Sequence, residues 1–210
     1  MANLTDLTSK EFLTELASAA PAPGGGGGAA MAGALAAALS SMVCNLTLGK
    51  ERFAAQEAEV ESVLVKAERA RERLLELVQE DAAVFNSFMS CYKLPKATDE
   101  EKAARTAAIR AAAKKAAEVP LAIARESFAV LELADELVVC GNPGVITDGA
   151  CSGLLARAAL RCAEYNVRIN LGLTKDAEWN AQVQAELEAM LTQADALEAK
   201  LLAVTDKALA

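Results

Sequence analysis

The sequence predicts an all-α protein, a multihelical bundle of long antiparallel helices forming a single domain over residues 1–210. Three observations carry that reading. Alanine, the strongest helix former, is the commonest residue, whereas only 4% of the chain is aromatic. Apolar residues recur at three- and four-residue steps, and no segment offers a credible strand ladder or an internal repeat. With 210 residues, 53% hydrophobic and 24% charged, the chain can fill one core and is too apolar to be disordered.

The elements follow in order. Thr8-Ser9-Lys10-Glu11 is a capping box, which starts a short helix reaching about residue 19. Pro21-Ala22-Pro23 stops it, and Gly24, Gly25, Gly26, Gly27 and Gly28 read as a loop. A second helix runs from about Ala29 to Leu48, with Leu35, Leu39, Met42 and Leu46 on one face, and Gly49 ends it. A long helix spans about Arg52 to Cys91 and carries the stripe Leu74, Leu77, Val84, Phe85, Phe88. Leu94-Pro95 breaks it. A second capping box, Thr98-Asp99-Glu100-Glu101, opens a helix to about Val139, in which Pro120 predicts a kink or a restart. After the turn Gly141-Asn142-Pro143-Gly144, Thr147 or Asp148 caps a helix to about Leu171. The last helix starts at Thr174. Its seam Val183, Leu187, Met190, Ala194, Leu197, Leu201, Val204, Ala208 reads as helix packing or a dimer contact.

Composition excludes several functions. A net charge of −8 argues against nucleic acid as a partner. There is no histidine, which removes Ser-His-Asp and Cys-His catalysis and His-ligated metals. Cys44, Cys91, Cys140, Cys151 and Cys162 are scattered without C-x-x-C spacing, so no metal site is expected. They read as reduced, mostly structural and cytoplasmic. Residues 16–49 carry no charge. Pro21, Pro23 and the glycines interrupt that run, and its second half is mostly alanine with Ser40, Ser41, Asn45 and Thr47. It therefore reads as a buried central helix, not a membrane span. The N-terminus lacks the basic segment of a signal peptide.

A few residues stand out chemically. The glycine run lets a ligand approach the main chain at a helix start, where amide groups and the dipole favour anions; it equally suits a flexible connector. Asp81 interrupts the apolar stripe. Burial would raise its pKa into the range of a neutral-pH acid or base, and a structural salt bridge is the other reading. Asn166 and Asn170 share a helix face and can hold a heterocycle edge or satisfy buried backbone. Asp148 is either an N-cap or a catalytic carboxylate. Lys50 follows a helix end, where a cation is ordinary, and can also meet an anionic substrate.

Three blocks, PAPGGGGGAAMAGALAAALSSMVCNLTLGK at 21–50, LPKATDEEKAAR at 94–105 and GNPGVITDGACSGLLARAALRCAEYNVRINL at 141–171, resemble the methenyltetrahydrofolate cyclohydrolase / formiminotetrahydrofolate cyclodeaminase family. The resemblance implies an all-helical, cytoplasmic homodimer that acts on a folate substrate without metal; no other cofactor is expected, and the charge and hydropathy above argue for no nucleic acid and no membrane. Many members carry serine where this chain has Gly27. The all-glycine form looks more like the stand-alone cyclohydrolase branch, which hydrolyses 5,10-methenyltetrahydrofolate to 10-formyltetrahydrofolate. The rivals are the cyclodeaminase, which releases ammonia from 5-formiminotetrahydrofolate, and a non-catalytic helical dimerisation module. On the cyclohydrolase reading, Asp148 or Asp81 is the carboxylate that meets the cationic carbon and its water, and Lys50 is a donor. Gly24 to Gly28, Asn45, Asn142, Asn166 and Asn170 hold the substrate. Arg168 receives the glutamate tail.

Overall fold

The computed structural model describes residues 3–210. Six α-helices carry the fold: α1 (Ser9–Leu16), α2 (Gly24–Asn45), α3 (Glu57–Cys91), α4 (Asp99–Cys140), α5 (Ile146–Thr174) and α6 (Ala177–Leu209). Single 3-10 turns lie at Leu4–Asp6, Glu51–Gln56 and Pro143–Val145, and no strand occurs among the described residues. Both capping boxes form: the Thr8 and Thr98 hydroxyls accept from the Glu11 and Glu101 amides, and each glutamate reaches back to its cap. Losing such a cap costs about 1 kcal/mol.

Helix α2 is the central element and packs against α3, α4 and α5. It lies antiparallel to α5, since Ser40 meets Ser152 at 2.8 Å while Gly25 lies beside Asn166. Small side chains allow that closeness: Ala30, Ala36 and Ala37 are fully buried. Leu74 and Leu77 of α3, Ile123 and Leu131 of α4, Leu160 of α5 and Leu187 of α6 fill the core. Truncating one of these leucines to alanine costs about 2–5 kcal/mol. Helix α6 closes the bundle over α4 and α5 through Arg125–Glu186, Arg157–Asp195 and Lys200–Asp135. Helix α2 is long and apolar enough to cross a bilayer by length and composition, but most of it is buried in protein.

Several boundaries differ from the sequence expectation, each for a local reason. The glycines at 24–28 are not a loop; they form the first turn of α2. Their helix propensity is poor, but tertiary contacts decide: a Cβ on Gly26 would sit 2.4 Å from the Asp81 carboxylate, and one on Gly27 2.8 Å from Pro23. Helix α1 stops at Leu16, and α2 stops at Asn45, short of Leu48. A 3-10 turn occupies Glu51–Gln56 before α3 begins. Neither Thr147 nor Asp148 caps α5. Val145 holds the cap position, because Asn142 has already turned the chain by accepting from the Gly144 amide. Helix α5 runs on to Thr174, Lys175 takes a left-handed φ of 58°, and Asp176 caps α6 through the Trp179 amide. The α6 seam packs inward: Val183, Leu187, Met190, Ala194 and Leu201 are buried within the chain. It is therefore not free for a dimer contact.

Pro120 does not interrupt α4. Proline lacks the N–H that would reach the carbonyl four residues back, so the Ala116 oxygen loses its helical partner. The Asn170 side-chain amide supplies one at 3.0 Å. The carbonyl that proline leaves without a helical donor is thus satisfied by a side chain from α5.

Candidate active site

A pocket with a cavity volume of about 110 Å³ opens where the N-terminus of α2 meets α3, α4 and α5. Pro21 to Gly26 form one rim, Asp81, Val84 and Phe85 come from α3, Ala116 and Pro120 from α4, and Asn166 and Asn170 from α5. The sequence-predicted Asp81, Asn166, Asn170 and Gly24–Gly26 are thus brought together although they lie far apart along the chain. Gly27 and Gly28 stand just behind them on α2.

Asp81 faces the pocket from a half-buried position. Its carboxylate lies over Gly26, where only a hydrogen fits, and accepts from the Gly27 amide. Burial pushes its pKa from 3.8 up to about 6, and the Gly27 bond opposes that rise. No basic side chain lines the pocket. The structural salt bridge is therefore not the arrangement formed, and the carboxyl titrates close to neutrality.

The two asparagines spend their NH₂ groups on backbone. Asn166 donates to the Cys162 carbonyl at 2.9 Å; Asn170 donates to Asn166 at 2.8 Å and to Ala116. Their oxygens remain as acceptors, with the amide orientation following from that network. The lining thus combines the two asparagines and one carboxylate with the first backbone amides of α2 at Gly24–Gly26, and Phe85, Val84 and Pro120 give apolar surface. The carboxylate suits positive charge on a guest, the helix-start amides suit an acceptor on it, and the apolar side chains suit a flat ring. Phe85 and Pro120 were legible as a stripe residue and a helix breaker, but nothing in the sequence pairs them across two helices.

The remaining candidates lie elsewhere. Lys50, Asn45 and Asn142 gather at the other end of α2, about 30 Å away along a helix of 22 residues. There the Lys50 ammonium donates to the Leu46 carbonyl. Asn142 donates its backbone N–H to Thr47 and its side chain to Leu46, and accepts from Arg52 at 3.4 Å. Arg52 had no part in the sequence expectation. Asp148 stands in the first turn of α5 at this same end. Arg168 does not line the pocket; it pairs with the buried Glu164 at 2.7 Å, which Arg161 also holds at 2.7 Å. Among the described residues no His, Cys, Asp and Glu cluster of three or more is placed to hold a metal. The Cys44 and Cys140 thiols are buried, which pushes them up to about 12 and about 11, so both are inert. Cys151 and Cys162 are exposed on α5 and not structural.

Comparison with known proteins identifies the family and the fold. The chain is 45% identical over 194 residues to a methenyltetrahydrofolate cyclohydrolase of Methylorubrum extorquens, covering 92% of this chain and 93% of that one. It is 33% identical over 185 residues to the formimidoyltransferase-cyclodeaminase of Sus scrofa, covering 88% of this chain but only 34% of that longer protein. The crystal structure of formiminotetrahydrofolate cyclodeaminase from Thermotoga maritima superposes with a TM-score of 0.87 at 28% identity, over 97% of this chain and 98% of that one. A family model described as formiminotransferase-cyclodeaminase matches residues 8–189, and the chain belongs to that family.

Proposed function

We propose that the protein is an enzyme that hydrolyses 5,10-methenyltetrahydrofolate to 10-formyltetrahydrofolate, using no metal or other cofactor. The observation that carries this reading is Asp81: a carboxyl whose pKa burial raises to about 6, in a pocket that no basic side chain lines. The methenyl carbon bridges N5 and N10 as an amidinium-like cation and needs no further activation. Asp81 takes a proton from water as the water oxygen bonds to that carbon. It then returns the proton to N5 as the C–N5 bond breaks and the hydroxyl, losing its own proton to solvent, becomes the formyl carbonyl. One proton is released overall. Asn166 and Asn170 accept from the donor edge of the pterin, and Phe85 and Pro120 sandwich its ring. Arg168 is occupied by Glu164, so the glutamate tail is not assigned to it.

The relatives named for cyclodeaminase activity support a second reading, ammonia release from 5-formiminotetrahydrofolate. Gly27 favours the first. The Pro23 ring lies 2.8 Å from where a Cβ would stand, so the site is closed to the serine that many family members carry there. We further infer a cytoplasmic homodimer with neither nucleic acid nor membrane as partner. Five unpaired cysteines accord with the compartment, and the exposed Leu35, Met42, Leu46, Leu154, Tyr165 and Ile169 of α2 and α5 accord with a self-contact.

The test is to feed each folate to the purified protein and follow the methenyl absorption band. Hydrolysis consumes the band, deamination creates it, and a non-catalytic module leaves both substrates unchanged.

A further inference from the structure

Helix α2 stops where the pocket begins: Gly25 lies beside Asn166 of α5, and Gly26 beneath Asp81 of α3. Helices α3 and α5 flank α2, with α4 behind. All three run on past that level. From Asp81, Asn166 and Ala116, α3 continues about 15 Å to Cys91, α5 about 12 Å to Thr174 and α4 about 25 Å to Asp99. The pocket is therefore the inner end of a trough. Met89, one turn beyond Phe85 on α3, and Leu173, three residues beyond Asn170 on α5, continue the lining faces outward, and both are exposed.

The outer end of the trough, which holds the 94–105 segment, is basic. Between residues 93 and 115 seven basic residues stand against three acidic ones, in a chain whose net charge is −8. Lys102 pairs with Asp99, and Lys114 with Asp176. Arg105 differs. It is half-buried, lies over the Tyr92 ring at 5.5 Å, and donates from Nε and Nη2 to the Tyr92 carbonyl at 3.4 and 3.2 Å. Both partners are neutral. Glu101, one turn away, accepts from the Ala97 and Thr98 amides instead, and no carboxylate among the described residues pairs with Arg105. The guanidinium edge formed by Nη1 and Nη2 is left to take a carboxylate through two parallel bonds.

Dimensions select the occupant. The cavity of about 110 Å³ is small beside the about 300–1,000 Å³ of sites that bury a whole drug-sized ligand. It takes the reacting end of a folate, and the p-aminobenzoylglutamate arm lies outside it. That arm is an aromatic ring followed by two carboxylates, which stand about 10–13 Å from the bridging carbon when extended. About 16 Å of helix separates Asp81 from Tyr92 on α3, and the same length separates Ala116 from Arg105 on α4. The Asp81 and Arg105 side chains span the difference. We propose that Arg105 receives a glutamate carboxylate of the substrate, with the p-aminobenzoyl ring lying along the trough beside Met89 and Leu173. This rests on the folate-hydrolysing reading above. It gives the tail the cation that Arg168, held by Glu164, does not supply.

The experiment compares two substrates on each protein: 5,10-methenyltetrahydrofolate, and the methylamide of 5,10-methenyltetrahydropteroate, which keeps the ring and its amide but has no carboxylate. Wild type is expected to prefer the folate by about 10-fold or more in kcat/KM, the difference lying in KM. Raising the ionic strength narrows that preference. Arg105→Met removes it, and Arg105→Lys restores part of it as a point charge without the fork. A methionine variant that keeps the preference, or one that loses activity toward both substrates alike, overturns the proposal. So does a wild type that does not discriminate, a result that needs no variant to fold. If wild type leaves methenyltetrahydrofolate unchanged, the hydrolysis reading falls by itself. The carboxylate contact is then read by calorimetry with 5-formyltetrahydrofolate and its glutamate-free methylamide, where equal affinities, or no binding of either, overturn it too.

Discussion

Replacing Asp81 by asparagine separates chemistry from stability, because the fold holds this carboxyl at a cost. Raising its pKa from 3.8 in the open chain to about 6 in the fold penalises the ionised form. A shift of that size corresponds to about 3 kcal/mol at full ionisation, and relaxation around a half-buried group reduces it to about 1–3 kcal/mol. The sign follows from linkage. Below about pH 4 the group is protonated in both states, and wild type and variant are equally stable on this account. As pH rises from 4 to 6 the unfolded chain ionises first and wild type loses stability; above 6 the deficit is constant. Asparagine keeps an oxygen for the Gly27 amide and removes the penalty. Thermal unfolding at pH 8 is therefore expected to show Asp81→Asn several degrees above wild type, at about 2–4 °C per kcal/mol for a chain this long, with the gap closing by pH 4. Turnover of methenyltetrahydrofolate drops by about 10²–10⁴-fold in the same protein. A variant that is less stable than wild type at pH 8, or one that retains turnover within tenfold, refutes the reasoning.

Other outcomes follow from the same geometry. The wild-type rate is expected to rise with pH through a midpoint near 6, as Asp81 ionises, and a pH–rate profile flat from 5 to 8 excludes it as the base. Gly26→Ala drives a Cβ to 2.4 Å from both Asp81 oxygens, so it displaces the carboxylate and lowers turnover at least about 100-fold while circular dichroism stays helical. Asn170→Ala strands the Ala116 carbonyl at Pro120 and costs about 1–3 kcal/mol in denaturant unfolding. Pro120→Ala supplies the missing N–H, so the double variant is expected to be more stable than the sum of the singles, and strict additivity counts against the tie.

The helical class, the order of the six helices and both capping boxes were legible because they are written in local periodicity and short-range hydrogen bonding. The start of α2 was not. Glycine propensity points to a loop at 24–28, and only the carboxylate lying over Gly26 and the Pro23 ring against Gly27 explain a helix there. The same limit applies at Pro120, where α4 runs on without a restart and the carbonyl left without a helical donor is met by Asn170 of α5. For the site, Asp81 was visible as a polar break in an apolar stripe. That Asp81 shares a pocket with Asn166 and Asn170, while Asp148 and Lys50 lie at the opposite end of α2, is a matter of helix direction that spacing does not encode.

The tie between Asn170 and Ala116 makes helix continuity and pocket polarity a single property. As long as residue 120 is proline, the asparagine turns its NH₂ toward the Ala116 carbonyl of α4. Any residue with a backbone N–H at that position would satisfy Ala116 from within α4 and leave the amide held by the Asn166 carbonyl alone. One exchange on a neighbouring helix, touching no reacting atom, would thus loosen a polar group that lines the cavity beside Asp81.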